Sequence, residues 1–100
     1  MTPANREAER QETFDRLKVL LANLLKIYKE KKPEQRPNLT MSTDLIEELG
    51  VDSLESLDLM NAIEEEFQVS PNMNEANSKK KIHQIVDYIL ELKDRKSSRR

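Results

Sequence analysis

The sequence predicts an all-α bundle of three main helices and one short helix, with a long loop between the first and second main helices. Three observations carry this expectation. Apolar residues recur at helical spacing in three separate stretches. Helix formers such as Leu, Glu, Lys, Ile and Met are abundant, while the 100 residues include one glycine and four aromatic residues. The alternating β-branched runs and frequent turn residues that a sheet requires are missing. At 36% apolar and 36% charged, the chain suits one compact domain with a small core, and a second independent domain is not expected.

Taken in order, residues 1–13 are polar and read as an N-terminal extension, either prolonging the first helix in solvent or irregular. Phe14, Leu17, Leu21, Leu24, Leu25 and Tyr28 then fall on one face of an amphipathic helix, with Leu20 and Ile27 widening the stripe. Pro33 and Pro37 end any helix and impose an extended course, so residues 30–43 form a long connection. "DLIEELG" at 44–50 predicts a short helical turn stopped by Gly50 in the left-handed conformation. The second main helix starts at "DSLESLDLM". Asp52 followed by Glu55 fits an acidic capping box, in which Asp52 accepts an N-terminal N–H and Glu55 reaches back, leaving Ser53 as the first helical residue.

At about 100° per residue, Leu59, Met60, Ile63 and Phe67 share the core-facing arc of that helix with Ser56. Leu54 and Leu57 land on the opposite side among Asp58, Asn61, Glu64 and Glu65, a small apolar patch with an acidic rim of the kind that marks docking surfaces. Pro71 precedes a short helix around residues 72–76. Ile82, Ile85, Val86, Ile89 and Leu92 then mark the last helix. The folded domain is expected over residues 14–93, followed by a flexible basic tail at 94–100.

The net charge of −2 hides a strong asymmetry. Residues 44–78 carry ten acidic groups and no basic one, between flanking segments that are net positive. Such a field steers basic partners in and makes nucleic acid a poor ligand. Cysteine is absent, which removes disulfides, thiolate nucleophiles and Cys-ligated metals, and points to the cytoplasm. No run approaches the roughly 18 apolar residues of a membrane span, and "MTPANREAERQETF" has no apolar leader core, so neither membrane binding nor export is expected. The sequon-like "NLT" at 38–40 accordingly reads as ordinary loop.

Catalysis is poorly supported, and no catalytic residue is assigned. His83, the single histidine, lies on the polar side of the last helix with no triad partner suggested by the sequence. The carboxylates lie on exposed helix faces rather than paired in an apolar cleft. Their spacing also lacks the alternation and internal glycine of a calcium loop, and no metal site is expected. A glycine-rich phosphate loop is missing as well.

"LGVDSLESLDLMNAIEEEF", with "DLIEELG" before it and "IVDYI" after it in the same order and spacing, resembles the attachment region of acyl carrier proteins. The resemblance covers about residues 14–93 and implies the fold of that family, a bundle of three main helices plus a short one. It further implies a non-catalytic carrier whose Ser53 receives 4'-phosphopantetheine from coenzyme A, flanked by Asp52 and Leu54. Implied partners are a phosphopantetheinyl transferase and acyl-transferring or acyl-modifying enzymes with basic docking patches. These are expected to meet a monomer through Leu54, Glu55, Leu57, Asp58, Asn61, Glu64 and Glu65. Leu59, Ile63, Phe67, Ile82, Ile85 and Ile89 are implied to line an interior that shelters the acyl chain.

The implied pathway is fatty-acid or related lipid biosynthesis, with a specialised polyketide or secondary-metabolite carrier as the alternative. Asn61 is more polar than is usual on that face, and Lys79–Lys81 place positive charge where members are typically neutral or mixed. Peptidyl carriers fit less well, since they show Gly-Gly-x-Ser-Leu where this chain has Gly50, Val51, Asp52, Ser53 and Leu54. A reading from another class is an unmodified helical adapter that binds basic partners through its acidic helix.

Overall fold

The computed structural model describes the backbone of residues 3–98 and the side chains of residues 6–96. Met1 and Thr2 of the expected extension, and Arg99 and Arg100 of the expected tail, lie outside the described residues. Five helices run in the order α1 (Pro3–Leu24), α2 (Lys26–Lys29), α3 (Ser53–Phe67), α4 (Met73–Ala76) and α5 (Ile82–Ser98), with a 3-10 turn at Pro33–Gln35. Among the described residues the only strand-like feature is an isolated antiparallel bridge between Asp44 and Lys81.

The core is the junction of α1, α3 and α5. Leu17, Leu21 and Leu25 from the first segment, Leu59 and Ile63 from α3, and Ile82, Ile85 and Ile89 from α5 are all fully enclosed. Each such side chain contributes about 1.5–3 kcal/mol by leaving water, so this layer dominates the stability of the bundle. The helical periodicities predicted these positions because each stripe recurs at three- and four-residue steps.

The described residues toward both ends are helical, although their composition is polar. α1 begins at Pro3, where a missing N–H costs a first helical turn nothing, and runs antiparallel to α5. Arg6 pairs with Asp94 and Arg10 with Asp87, each at 2.8 Å. Residues 94–98, expected as a flexible tail, instead continue α5. Arg95 bonds Glu75 at 3.1 Å and Glu91 at 3.3 Å, and the Lys96 ammonium donates to the Gln68 carbonyl at 2.7 Å. Exposed pairs of this kind add little energy individually, and here they tie α5 to α1, to α4 and to the end of α3.

A second difference is a break in the first helix. Periodicity predicts one helix to Tyr28, yet Leu25 adopts an extended backbone (φ −80°, ψ 136°) and the helix restarts at Lys26. From Glu30 to Asp52 the chain is a long connection pinned at several points. Tyr28 donates its hydroxyl to the Pro37 carbonyl at 3.2 Å. Asp44 accepts the N–H groups of Ile46 and Glu47 at 2.9 Å each, and the Glu48 carboxylate takes the Asp44 N–H at 2.8 Å. The turn they start closes at Gly50, whose φ of +67° is the left-handed conformation expected from the sequence.

α4 is a single turn, and its position depends on side chains. Asn72 caps it by accepting the Asn74 N–H at 2.8 Å. Tyr88 of α5, itself buried, accepts the Asn72 N–H at 2.8 Å and donates to the Glu75 carboxylate at 2.8 Å.

These bonds make two carboxylates sensitive to acid. Hydrogen bonds from Arg95 and then Tyr88 hold the Glu75 carboxyl below its ordinary range, and the Glu47 N–H does the same for Asp44. A depressed folded-state pKa contributes stability that is complete above the unfolded value and is lost as pH falls through the folded one. The melting temperature is therefore expected to drop on acidification below the ordinary carboxylate range, and to drop less steeply in Asp44→Asn combined with Glu75→Gln. Parallel acid limbs for the two proteins, followed by circular dichroism, would contradict this assignment.

Candidate functional site

The site is set by where α3 begins. Asp52 has extended backbone (φ −97°, ψ −177°), and its Oδ1 accepts the Glu55 N–H at 2.8 Å. Its carbonyl accepts the Ser56 N–H at 2.9 Å. The side chain of Asp52 therefore does the capping that a serine often performs, and Ser53, the first helical residue, is released from it. Ser53 is exposed, and its hydroxyl makes no hydrogen bond among the described residues.

The reciprocal half of the expected capping box is not made. Instead of turning back to the Asp52 N–H, Glu55 accepts the Lys26 N–H through Oε2 at 3.0 Å. The break at Leu25 explains this: it strips Lys26 of an intrahelical acceptor, and Leu25 offers no side-chain cap. Glu55 fills that role from the neighbouring helix, fastening the first turn of α3 to the start of α2. Sequence spacing alone could not reveal this, because the break at Leu25 interrupts an unbroken apolar stripe.

The far end of α3 is held by cations from elsewhere in the chain. Its last turn holds three consecutive glutamates and no basic residue. Arg16 of α1 donates to the Glu66 carbonyl at 2.7 Å and to its carboxylate at 2.9 Å, with its guanidinium 4.5 Å from the centre of the Phe67 ring. Lys93 lies 5.4 Å from the same ring. These charges complement the negative end of the helix dipole and offset the acidic turn.

Beside Ser53 lies a cleft of about 480 Å³, a size that holds small ligands. Leu45, Ile46, Val51, Met73 and Ala76 supply its apolar lining, and Asp52, Ser53, Ser56, Asn77 and Lys79 its polar one. It lies between the 45–51 turn, the start of α3, and α4. The residues expected to enclose a sheltered space, Leu59, Ile63, Phe67, Ile82, Ile85 and Ile89, are all buried core side chains, and none lines this cleft. Its sequence signal was the small residues: Ser56 interrupts the core arc of α3 and Ala76 faces it from α4, so neither fills the space.

The outer stripe of α3 is as its spacing predicts. Leu54 is 68% and Leu57 44% exposed, and Asp58, Asn61, Glu64 and Glu65 are exposed around them. Glu55 is half-buried by its bond to Lys26. Ile46, 51% exposed, is a further exposed apolar side chain, lining the cleft beside Ser53, and went unmarked in the sequence because it lies in a turn without periodicity.

The family model described as "Phosphopantetheine attachment site" matches residues 15–89. The chain is 32% identical over 78 residues to a protein named "Acyl carrier protein" from Clostridium perfringens, covering 78% of this chain and 93% of that one. It is 36% identical over 81 residues to one of the same name from Campylobacter jejuni subsp. doylei, covering 81% and 96%. A third, from Trieres chinensis, is 31% identical over 78 residues, covering 78% and 89%.

The Glu55 bond has a direct check. Glu55→Ala is expected to destabilise the bundle by about 1 kcal/mol in denaturant unfolding and to speed hydrogen exchange at the Lys26 amide, whereas Glu55→Gln, which keeps an acceptor oxygen, changes both less. Unchanged Lys26 exchange in Glu55→Ala would show that the bond does not hold in solution.

Proposed function

The chain belongs to the acyl carrier protein family, carriers rather than enzymes that bear covalent 4'-phosphopantetheine, and from that premise we propose that Ser53 is the attachment residue. The observation that carries this is the exposed, unbonded hydroxyl at the start of α3, opening beside a cleft. The residues fit the group. The first N–H groups of a 15-residue helix favour the negative charge of a phosphodiester on Ser53, while the Asp52 carboxylate is occupied by the Glu55 N–H. When attached, the group's terminal thiol carries an acyl chain as a thioester. Ser53 needs no neighbouring base, since a phosphopantetheinyl transferase supplies the activation.

We further propose that this transferase, and acyl-transferring and acyl-modifying enzymes, dock on the outer stripe of α3. Leu54 and Leu57, with Ile46, anchor them, and Asp58, Glu64 and Glu65 guide basic patches toward Ser53. Rim charges act mostly on encounter rates, which suits partners that must also leave. Asn61 sits within this stripe, and Glu55 contributes its charge from behind it. The cleft is the mouth through which an acyl chain enters. Longer chains part the layer formed by Leu59, Ile63, Phe67, Ile82, Ile85 and Ile89 beneath it. The chain works as a cytoplasmic monomer serving fatty-acid or related lipid synthesis. A specialised or polyketide pathway is the second reading, favoured by the lysine at the cleft.

Incubating the apo chain with coenzyme A and a broad-specificity phosphopantetheinyl transferase is expected to add one phosphopantetheine mass to the wild type and none to Ser53→Ala. An unmodified wild type, or a modified Ser53→Ala, overturns the assignment. The loading rate is expected to fall as ionic strength rises and to fall in Glu64→Lys. A rate insensitive to both contradicts docking on the acidic stripe.

A further inference from the structure

The arginines of this chain are unevenly partnered. Among the described residues Arg6, Arg10, Arg16 and Arg95 each bond a carboxylate, and Arg36 bonds none. Its Nε donates to the Lys31 carbonyl at 3.2 Å, and its two Nη groups have no partner among the described residues. Lys26, Lys29, Lys31 and Lys32 precede it, all exposed and none in an ion pair among the described residues. Residues 26–36 thus hold five cations against two acids, Glu30 and Glu34, and keep a net charge of +3. Their backbone is already ordered. Lys32 (φ −67°, ψ 151°) and Arg36 (φ −75°, ψ 142°) adopt the polyproline-II conformation on either side of the Pro33–Gln35 turn. The Gln35 N–H bonds the Lys32 carbonyl at 2.8 Å, the Arg36 N–H the Pro33 carbonyl at 3.3 Å, and the Tyr28 hydroxyl the Pro37 carbonyl at 3.2 Å.

An arginine held at Nε and unpaired at both Nη groups offers a carboxylate a two-pronged, charge-assisted contact at little ordering cost. The length of the anion is limited by α3. Glu55 accepts the Lys26 N–H at 3.0 Å, so the acidic helix begins where the basic stretch begins. A polyanion laid along all of residues 26–36, whether a nucleic acid strand or an anionic bilayer, comes at Lys26 within the screening length of about 8 Å of that carboxylate and is repelled. A short acidic peptide segment centred on Arg36 does not have to extend to Lys26. We propose that residues 29–36 form a second docking surface, opposite in sign to α3, for a short Asp- or Glu-rich segment of a protein partner, with Arg36 as its anchor. On a partner that also meets α3, two contacts of opposite sign fix the orientation of the chain, because the reversed arrangement sets like charges against each other at both.

The test titrates the full, isotopically labelled chain with an acetylated and amidated hexaglutamate peptide at low ionic strength, following the backbone amide signals by NMR. Shifts are expected at Lys29, Lys31, Lys32 and Arg36, and none at Asp58, Glu64 or Glu65 on the outer stripe of α3. Arg36→Gln is expected to weaken binding about five- to tenfold, and Arg36→Lys, which keeps the charge but not the fork, about threefold. Added salt is expected to weaken the wild-type complex.

No shift at the 29–36 amides, or binding as tight in Arg36→Gln as in the wild type, overturns the proposal. Wild-type affinity in Arg36→Lys shows that diffuse charge alone is at work and removes Arg36 as the anchor. Two further probes separate the partner classes, a hexathymidylate strand and phosphatidylglycerol vesicles. Tighter binding of either than of hexaglutamate, at the same amides, overturns the assignment to an acidic protein segment. None of these measurements involves Ser53, so their failure is distinct from failure of the attachment assignment.

Discussion

The start of α3 constrains everything else in this molecule. One residue must be the first in the helix and still keep its side chain in water, and Asp52 secures this by taking the Glu55 N–H onto its own carboxylate. Without that cap, either the helix frays past Ser53 or the serine hydroxyl turns inward to do the capping itself. Because Asp52 performs it, Ser53 is left without an internal role.

Holding a helix this acidic within a small bundle needs compensation at both ends. At its beginning, Glu55 is bonded to the Lys26 N–H exposed where the first helix breaks, so the carboxylate that caps α2 also fixes the azimuth of the first turn of α3. At its end, Arg16 and Lys96 bond the carbonyls of Glu66 and Gln68, and Gln68 takes the left-handed conformation that closes the helix. Between these two clamps the apolar stripe is buried and the outer face is left acidic. The charge asymmetry of the sequence is thus reconciled in space, since the basic flanking segments supply the cations that the middle segment lacks. The extended pairing of α1 with α5 belongs to the same arrangement, bringing Arg16 and Lys96 to the correct end.

Much of this was legible in the chain. The three apolar stripes predicted the main helices and most of the core, though not Leu45, Leu49, Val51, Val69, Ala76, Tyr88 or Leu90; Gly50 predicted the turn before α3, and Asp-Ser-Leu within an acidic helix pointed to Ser53 as the candidate site through its family resemblance. What escaped the sequence are features that depend on contacts distant along the chain. The break at Leu25 lies inside a stripe that reads as continuous, so the acceptor role of Glu55 toward Lys26 could not be read from local spacing. The terminal segments look polar enough to be loose, yet Arg6, Arg10, Asp87 and Asp94 are matched only once α1 and α5 lie antiparallel. Open space is likewise invisible to periodicity. Core positions such as Ile63 and Ile85 were legible as buried, but only the approach of α4 to the 45–51 turn reveals that the vacancy lies beside Ser53.

A single displayed hydroxyl, freed by its neighbour's cap, is the proposed chemical handle of this protein. Peptide mapping by tandem mass spectrometry of the chain purified from its native host tests it most directly. A phosphodiester-linked group is expected on Ser53, in at least part of the population, with Ser56 bare. Finding Ser53 unmodified throughout under conditions that retain such linkages, or the group on another residue, would contradict it.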